Sequence, residues 1–218
     1  MENFDVMSVP KGALDIIKQL GDAGHDAYIV GGCVRDCALG KSPGDWDITT
    51  SATPDEMKVI FKGKHILPIG QLHGTLAIKL DGAFYEVTTF RIDGEYTDNR
   101  RPDSVSFTRN LQDDLARRDF TINAMAYNPT DGLTDLFDGM NDLRAGIVRC
   151  VGDARHRFDE DYLRIMRAYR FCAVLGFDMH EDTRSAALEG RADLQSIAPE
   201  RVAVELQKIA KNILSLYS

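Results

Sequence analysis

Long apolar runs are missing from this chain. No stretch approaches the roughly 18 consecutive apolar residues of a membrane-crossing helix, and the opening MENFDVMSVPKG lacks the charged and apolar regions of a signal peptide. A cytoplasmic protein is the resulting expectation. Cysteine is scarce, at four of 218 residues. Cys33 and Cys37 stand at helical spacing, but with Cys150 and Cys172 they leave no histidine or second pair placed to complete a zinc site, so all four read as reduced, packed thiols. The five histidines are scattered, with neither metal-ligand spacing nor a nucleophile to serve. Internal repeats and low-complexity tracts are also missing, which sets aside solenoids and disordered linkers.

A formal net charge of −8 argues against a broad nucleic-acid surface, because affinity for a phosphate backbone comes largely from lysine and arginine. The distribution partly reverses this. Lysine is absent from Arg91 to Arg170, yet half of the 26 basic residues are arginines in that stretch. Arginine there suits planar, forked recognition of phosphates or bases, or simply a solvated surface. Hydrophobic residues make up 44% of the chain, enough for one large globular domain or two small ones.

The pattern predicts a helix over Lys11–Leu20, a buried strand at Ala27–Val30, a short helix over Cys33–Leu39 and extended chain over Asp45–Thr49. Thr53-Pro54-Asp55-Glu56 is a helix start, with a threonine cap, proline in the first turn and glutamate three residues after the cap. Asp81-Gly82 between two β-rich runs, His73–Leu80 and Phe84–Phe90, signals a tight hairpin. The polar segment Ile92–Ser104 reads as a mobile loop. Leu111–Tyr127 reads as helical, Leu133–Val151 as short strands around a helix, and Asp159–Leu175 as one long helix. The expectation is an α+β fold, with a small mixed or antiparallel sheet in residues 1–152 and a helical segment in residues 153–218.

Three features bear on chemistry. Side chains alternate along a strand, so Asp45 and Asp47 are expected on one face about 7 Å apart, with Trp46 and Ile48 on the other. Paired carboxylates of this kind suit a magnesium ion shared with substrate phosphates, although an isolated Asp-x-Asp is usually a surface feature. Just before them, Gly31-Gly32 is either a plain tight turn or a place where backbone amides approach a phosphate, with Arg35 at hand to neutralise it. Glu86 lies within a β-rich run and is either a third metal ligand or part of an exposed sheet face with Thr88.

The string Gly31-Gly32-Cys33-Val34-Arg35-Asp36 followed by Gly44-Asp45-Trp46-Asp47-Ile48 resembles the first signature of the class II tRNA nucleotidyltransferases, which include CCA-adding enzymes and bacterial poly(A) polymerases. Further matches follow in the family's order: Glu86–Arg91, Arg117–Ala124, Glu160–Arg164, and Glu200-Arg201 with Glu205. The resemblance spans about residues 13 to 209. It implies a polymerase-beta-like catalytic head with an all-helical neck, two Mg²⁺ held by Asp45 and Asp47 with Glu86 as a third ligand or activator, and ATP, CTP and the tRNA 3′ end as partners. The membrane is not among them, and oligomeric state stays open.

It also implies that Asp161 and Arg164 read the incoming base in place of a nucleic-acid template. A carboxylate that only accepts beside a guanidinium that only donates matches the amino group and ring nitrogen of cytosine or adenine, and mismatches uracil and guanine. Read from spacing alone, the two are helix neighbours that could form a surface salt bridge. Arg118 is expected at the nucleotide or its sugar, Arg167 nearer the base, and Arg170 at the template residues or a phosphate, with packing against carboxylates as the alternative. Arg117 and Asp119 are expected to form an ion pair, and Glu200-Arg201 to support the neck.

The loop with Asp93, Tyr96, Asp98 and Arg100-Arg101-Pro102 resembles that of family members adding the terminal A. This favours CCA addition over A-addition alone, with poly(A) synthesis third. Family members are usually longer, with body and tail regions. A truncated nucleotide-binding piece without productive RNA binding is therefore the contrasting expectation.

Overall fold

A computed structural model describes residues 9–96, 99 and 102–215. The first helix, α1 (Lys11–Asp22), buries Ala13, Ile16, Ile17 and Leu20 and ends before Gly24, whose φ is +84°. Strand β1 (Ala27–Val30) runs into helix α2 (Gly32–Ala38) through Gly31, and β2 (Asp47–Thr50) returns antiparallel to β1. Thr53 caps α3 (Pro54–Ile60) in the expected capping box with Glu56. Strands β3 (Ile66–Gly70), β4 (Thr75–Leu80) and β5 (Ala83–Thr89) follow. The β4–β5 turn has φ of +46° at Asp81 and +82° at Gly82, which matches the twist that a two-residue hairpin needs.

The segment expected as a mobile loop is bounded by a ladder. Strand β6 (Arg91–Asp93) pairs with β7 (Val105–Phe107), and Gly94 and Asp103 extend the pairing by backbone bonds to Ser104 and Glu95. Asp98, Arg100 and Arg101 lie outside the described residues.

Helix α4 stops at Ala116 (Leu111–Ala116) instead of running to Tyr127. A 3-10 turn at Thr121–Asn123 and strand β8 (Met125–Asn128) replace the rest, because β8 is claimed by β1 on one side and β9 (Gly132–Asp135) on the other. Ladder pairing and core burial override the helical pattern here. The sheet has seven strands in the order β3-β4-β5-β2-β1-β8-β9, with β2 and β5 parallel and every other pair antiparallel.

Helix α5 (Gly139–Ala145) and strand β10 (Ile147–Val148) lead to the helical part, made of α6 (Ala154–Glu160), α7 (Leu163–Leu175), α8 (Glu181–Glu189) and α9 (Pro199–Ser215). Short strand β11 (Asp178–Met179) pairs in parallel with β10 and joins the two halves. One apolar cluster runs from α1 and β2 through Phe120 and Leu143 to Phe158, Ile165 and Phe171, so the later helices pack on the sheet-bearing half as a continuation of its core. No helix among the described residues is long and apolar enough to cross a membrane.

Candidate active site

The carboxylates stand on the open side of the sheet. β2 begins at Asp47, which pairs in register with Glu86 of β5, and both side chains are exposed while Ile48 and Val87 are buried behind them. Asp45 precedes the strand instead of lying in it, because the pairing of β2 with β1 and β5 starts only at Asp47 and Ile48. Trp46 is half-buried against the apolar core, and it also borders the cavity of the carboxylates. Asp45, Asp47 and Glu86 all line one cavity of about 630 Å³. Among the described residues no three or more His, Cys, Asp or Glu side chains already close into a metal cage.

Their electrostatics are those of like charges held together. Partial desolvation raises the Asp47 pKa, Arg118 opposes that rise, and Asp45 adds to it. Glu86 is likewise raised, by desolvation and then by Asp47 and Asp45. A cation among them would relieve this cost.

Gly31 adopts φ +82°, a conformation costly for any residue with a Cβ, and a Cβ there would lie 3.2 Å from Nη1 of Arg118. A Cβ on Gly32 would meet Arg35 at an ordinary 3.6 Å. The first glycine is thus demanded by the turn and by the arginine packed on it. Arg35 is buried, donating to Asp36 at 2.9 and 2.7 Å and to Asn123 Oδ1 at 2.6 Å, so its charge is already compensated inside the protein.

From there a polar network crosses to α7. Asn123 donates to Asp119 Oδ1 at 3.1 Å, and Arg167 Nε donates to Asp119 Oδ2 at 2.7 Å. Burial alone would raise the Asp119 pKa, but the Arg167 charge and the Asn123 hydrogen bond outweigh it and hold the group at about 2. Arg167 is therefore the partner of Asp119, while Arg117 pairs instead with Asp114 at 2.7 Å, which corrects the expected Arg117–Asp119 pair. Arg118 also binds Asp114, at 3.0 Å.

The single helix expected over Asp159–Leu175 is broken at Asp161, where φ is −151°. Its Oδ1 accepts from Leu163 N at 3.0 Å to start α7, and its Oδ2 accepts from Arg201 at 2.8 Å. Asp161 and Arg164 are consequently not stacked along one helix: Arg164 pairs with Glu160 and reaches the Arg157 carbonyl at 3.1 Å. Both nevertheless line the same cleft. Arg170 pairs with Glu205, in line with the carboxylate alternative.

That cleft, of about 540 Å³, collects Gly32, Arg35, Asp47, Arg118, Asp161, Arg164, Arg167 and Arg170 together with Arg117, Asp119 and Arg201. Glu86 and Asp45 lie on adjoining walls instead, Glu86 in a neighbouring cavity that shares Arg117, Asp161 and Arg164. Three side chains with no assigned role in the sequence prove structural to the cleft. Asp114 anchors two arginines. Asn123, inside a matched motif, bridges Arg35 to Asp119. Phe171 carries Arg170, Arg35 and Arg167 around its ring at 3.9, 5.0 and 5.6 Å, a cation–π cluster. Asp114 and Phe171 gave no sequence signal, since an aspartate in a helix and an apolar residue at core spacing are common.

A mixed sheet bearing paired carboxylates beside an arginine-lined cleft is the architecture of a nucleotidyltransferase head. Residues 27–149 match the family model described as the poly A polymerase head domain, and the chain belongs to that family, the class II group that includes CCA-adding enzymes. It is 48% identical over 207 residues to the CCA-adding enzyme of Leuconostoc mesenteroides subsp. mesenteroides, an alignment covering 94% of this chain and 51% of that protein. Among solved structures, it resembles the Bacillus stearothermophilus CCA-adding enzyme in complex with CTP (TM-score 0.83, 44% identity, 91% of this chain and 48% of that one). It also resembles the Thermotoga maritima CCA-adding enzyme complexed with tRNA (TM-score 0.76, 28% identity, 94% and 49%). The chain spans about half the length of the curated relatives it matches. Nucleotidyltransferases of this family generally depend on a divalent metal.

Proposed function

We propose that this chain forms the nucleotide-binding and catalytic part of a template-independent tRNA nucleotidyltransferase that adds C, C and A from CTP and ATP to the 3′ end of tRNA, releasing pyrophosphate. The observation that carries this reading is the position of Asp161 and Arg164 in the arginine-lined cleft that Asp47 also borders. A base-reading pair, phosphate-binding cations and carboxylates at the reacting end then form one continuous site. Residues 1–152 form the head and residues 153–218 the neck.

Gly32 and Arg118 meet the phosphates, with Arg35, already paired with Asp36 and Asn123, supporting them from behind; Arg167 lies nearer the base, Arg170 shares the Phe171 ring with it, and Asp161 and Arg164 meet the edge of cytosine or adenine. Asp45, Asp47 and Glu86 would hold Mg²⁺, since their mutual repulsion and all-oxygen chemistry fit a hard cation. When bound, the metal supplies stabilisation of charge on the attacking and leaving oxygens of an in-line displacement. The protein's own contribution is positioning: it aligns the RNA 3′-hydroxyl with the α-phosphate and selects the base. Free cysteines fit a cytoplasmic location.

Relatives named CCA-adding enzymes favour addition of all three nucleotides, while the poly A polymerase description of the family model favours A-addition or poly(A) synthesis as the second reading. Incubation with CTP, ATP and tRNA transcripts ending before, within and after CC separates them. CCA completion on each transcript is the expected result; extension by ATP alone supports the second reading, and no extension of any transcript contradicts both.

A further inference from the structure

Asp114 of α4 is a buried carboxylate that the reaction itself does not use. It is 0% exposed, and a charge so placed must be compensated. Its Oδ1 accepts from Arg117 Nε at 3.0 Å and Nη2 at 2.7 Å, while its Oδ2 accepts from Arg118 Nη2 at 3.0 Å and Thr49 Oγ1 at 3.1 Å. Burial pushes its pKa up, but Arg118 and then Arg117 pull it below the ordinary carboxylate range, so it stays charged.

Thr49 is two residues from Asp47 on β2, and in a strand such residues face the same way. The Asp114 carboxylate therefore joins the strand that carries Asp47 to both arginines. Arg118 is gripped by one edge only. Its Nη1 lies against Gly31, where a Cβ would come within 3.2 Å, and its Nε is buried with no hydrogen-bond partner among the described residues.

We infer that Asp114 is a positioning residue for nucleotide binding: it fixes Arg118 between the Gly31 turn and Asp47 before the triphosphate arrives, and Thr49 sets its own orientation. This rests on the proposed nucleotide-binding reading. A guanidinium held in place spends less freedom when it meets a phosphate than a loose one does, and the comparable groups that orient metal ligands change metal affinity by about 10–100-fold.

The test is a double-mutant cycle read by calorimetric CTP affinity in Mg²⁺, with urea unfolding of every variant. Asp114→Asn is expected to weaken CTP binding about tenfold in the unsubstituted background, and by less than about threefold once Arg118→Ala is present. Equal losses in both backgrounds, or unchanged affinity in a folded Asp114→Asn protein, would overturn the inference. Should Asp114→Asn not fold, Thr49→Val decides. It leaves the charges in place and is expected to weaken binding about threefold only when Arg118 is present; an unchanged affinity overturns the inference. Failure of the unsubstituted chain to bind CTP is a distinct result, which removes the nucleotide-binding reading and this inference with it.

Discussion

Asp47 and Glu86 stand opposite each other on β2 and β5, across the parallel pairing of the seven-stranded sheet. Partners in a ladder lie about 5 Å apart and face the same way, so two carboxylates in this register repel unless something positive sits between them. Fold stability gains nothing from the arrangement.

Removing one of these charges should therefore separate function from stability. Asp47→Ala and Asp45→Ala are each expected to lower nucleotide incorporation by about 10³-fold, the equivalent of several kcal/mol of lost transition-state stabilisation. The urea midpoint should stay level or rise, since a repulsion is relieved. Full activity in either folded variant would sink the assignment of the reacting end.

The glycine turn offers a contrast between neighbours. Gly31→Ala places a Cβ at φ +82° and 3.2 Å from Arg118, so a loss of about 1–2 kcal/mol in unfolding free energy is expected, together with weaker CTP binding. Gly32→Ala meets only an ordinary contact and should fold with little loss. Equal unfolding midpoints for the two variants would contradict the geometry.

Asp119 makes acid stability testable. Its folded pKa, near 2, lies below the ordinary 3.8, so its pairing stabilises the protein fully above the ordinary value and loses that contribution as pH falls from about 4 towards 2. The amount at stake is about 2 kcal/mol. Asp119→Asn should be less stable at neutral pH, and its urea midpoint should fall less steeply between pH 4 and 2. An unchanged slope would show that Arg167 does not hold the group as described.

Base choice should depend on Asp161 and Arg164 together. Arg164→Ala is expected to raise KM for CTP and ATP and to cut discrimination against UTP by about tenfold or more, because the donor that mismatches uracil's N–H is gone. Asp161→Ala should relax selection similarly and also lower stability, since it starts α7 and binds Arg201. Unaltered discrimination in both variants would remove the base-reading role.

Much of this protein could be read from one dimension. Gly24, the Thr53–Glu56 capping box and the Asp81-Gly82 turn fixed their elements through local backbone chemistry, which depends on few neighbours. The Asp-Trp-Asp string and the ordered motifs pointed to the right family because spacing in a chain is preserved whatever the chain folds into.

Other features depended on residues far apart in the sequence. β8 replaced the end of an expected helix because β1 and β9 were available to pair with it, and the helix through Asp161 broke because its carboxylate had Leu163 N and Arg201 to bind. The partners of the arginines were likewise beyond sequence logic: Arg117 chose Asp114 over the nearer Asp119, which Arg167 of α7 had claimed. The sequence by itself determined which charges this protein carries and the turns that punctuate it. Only the tertiary structure decided which charge neutralises which, because pairing energy falls with distance in space and takes no account of distance along the chain.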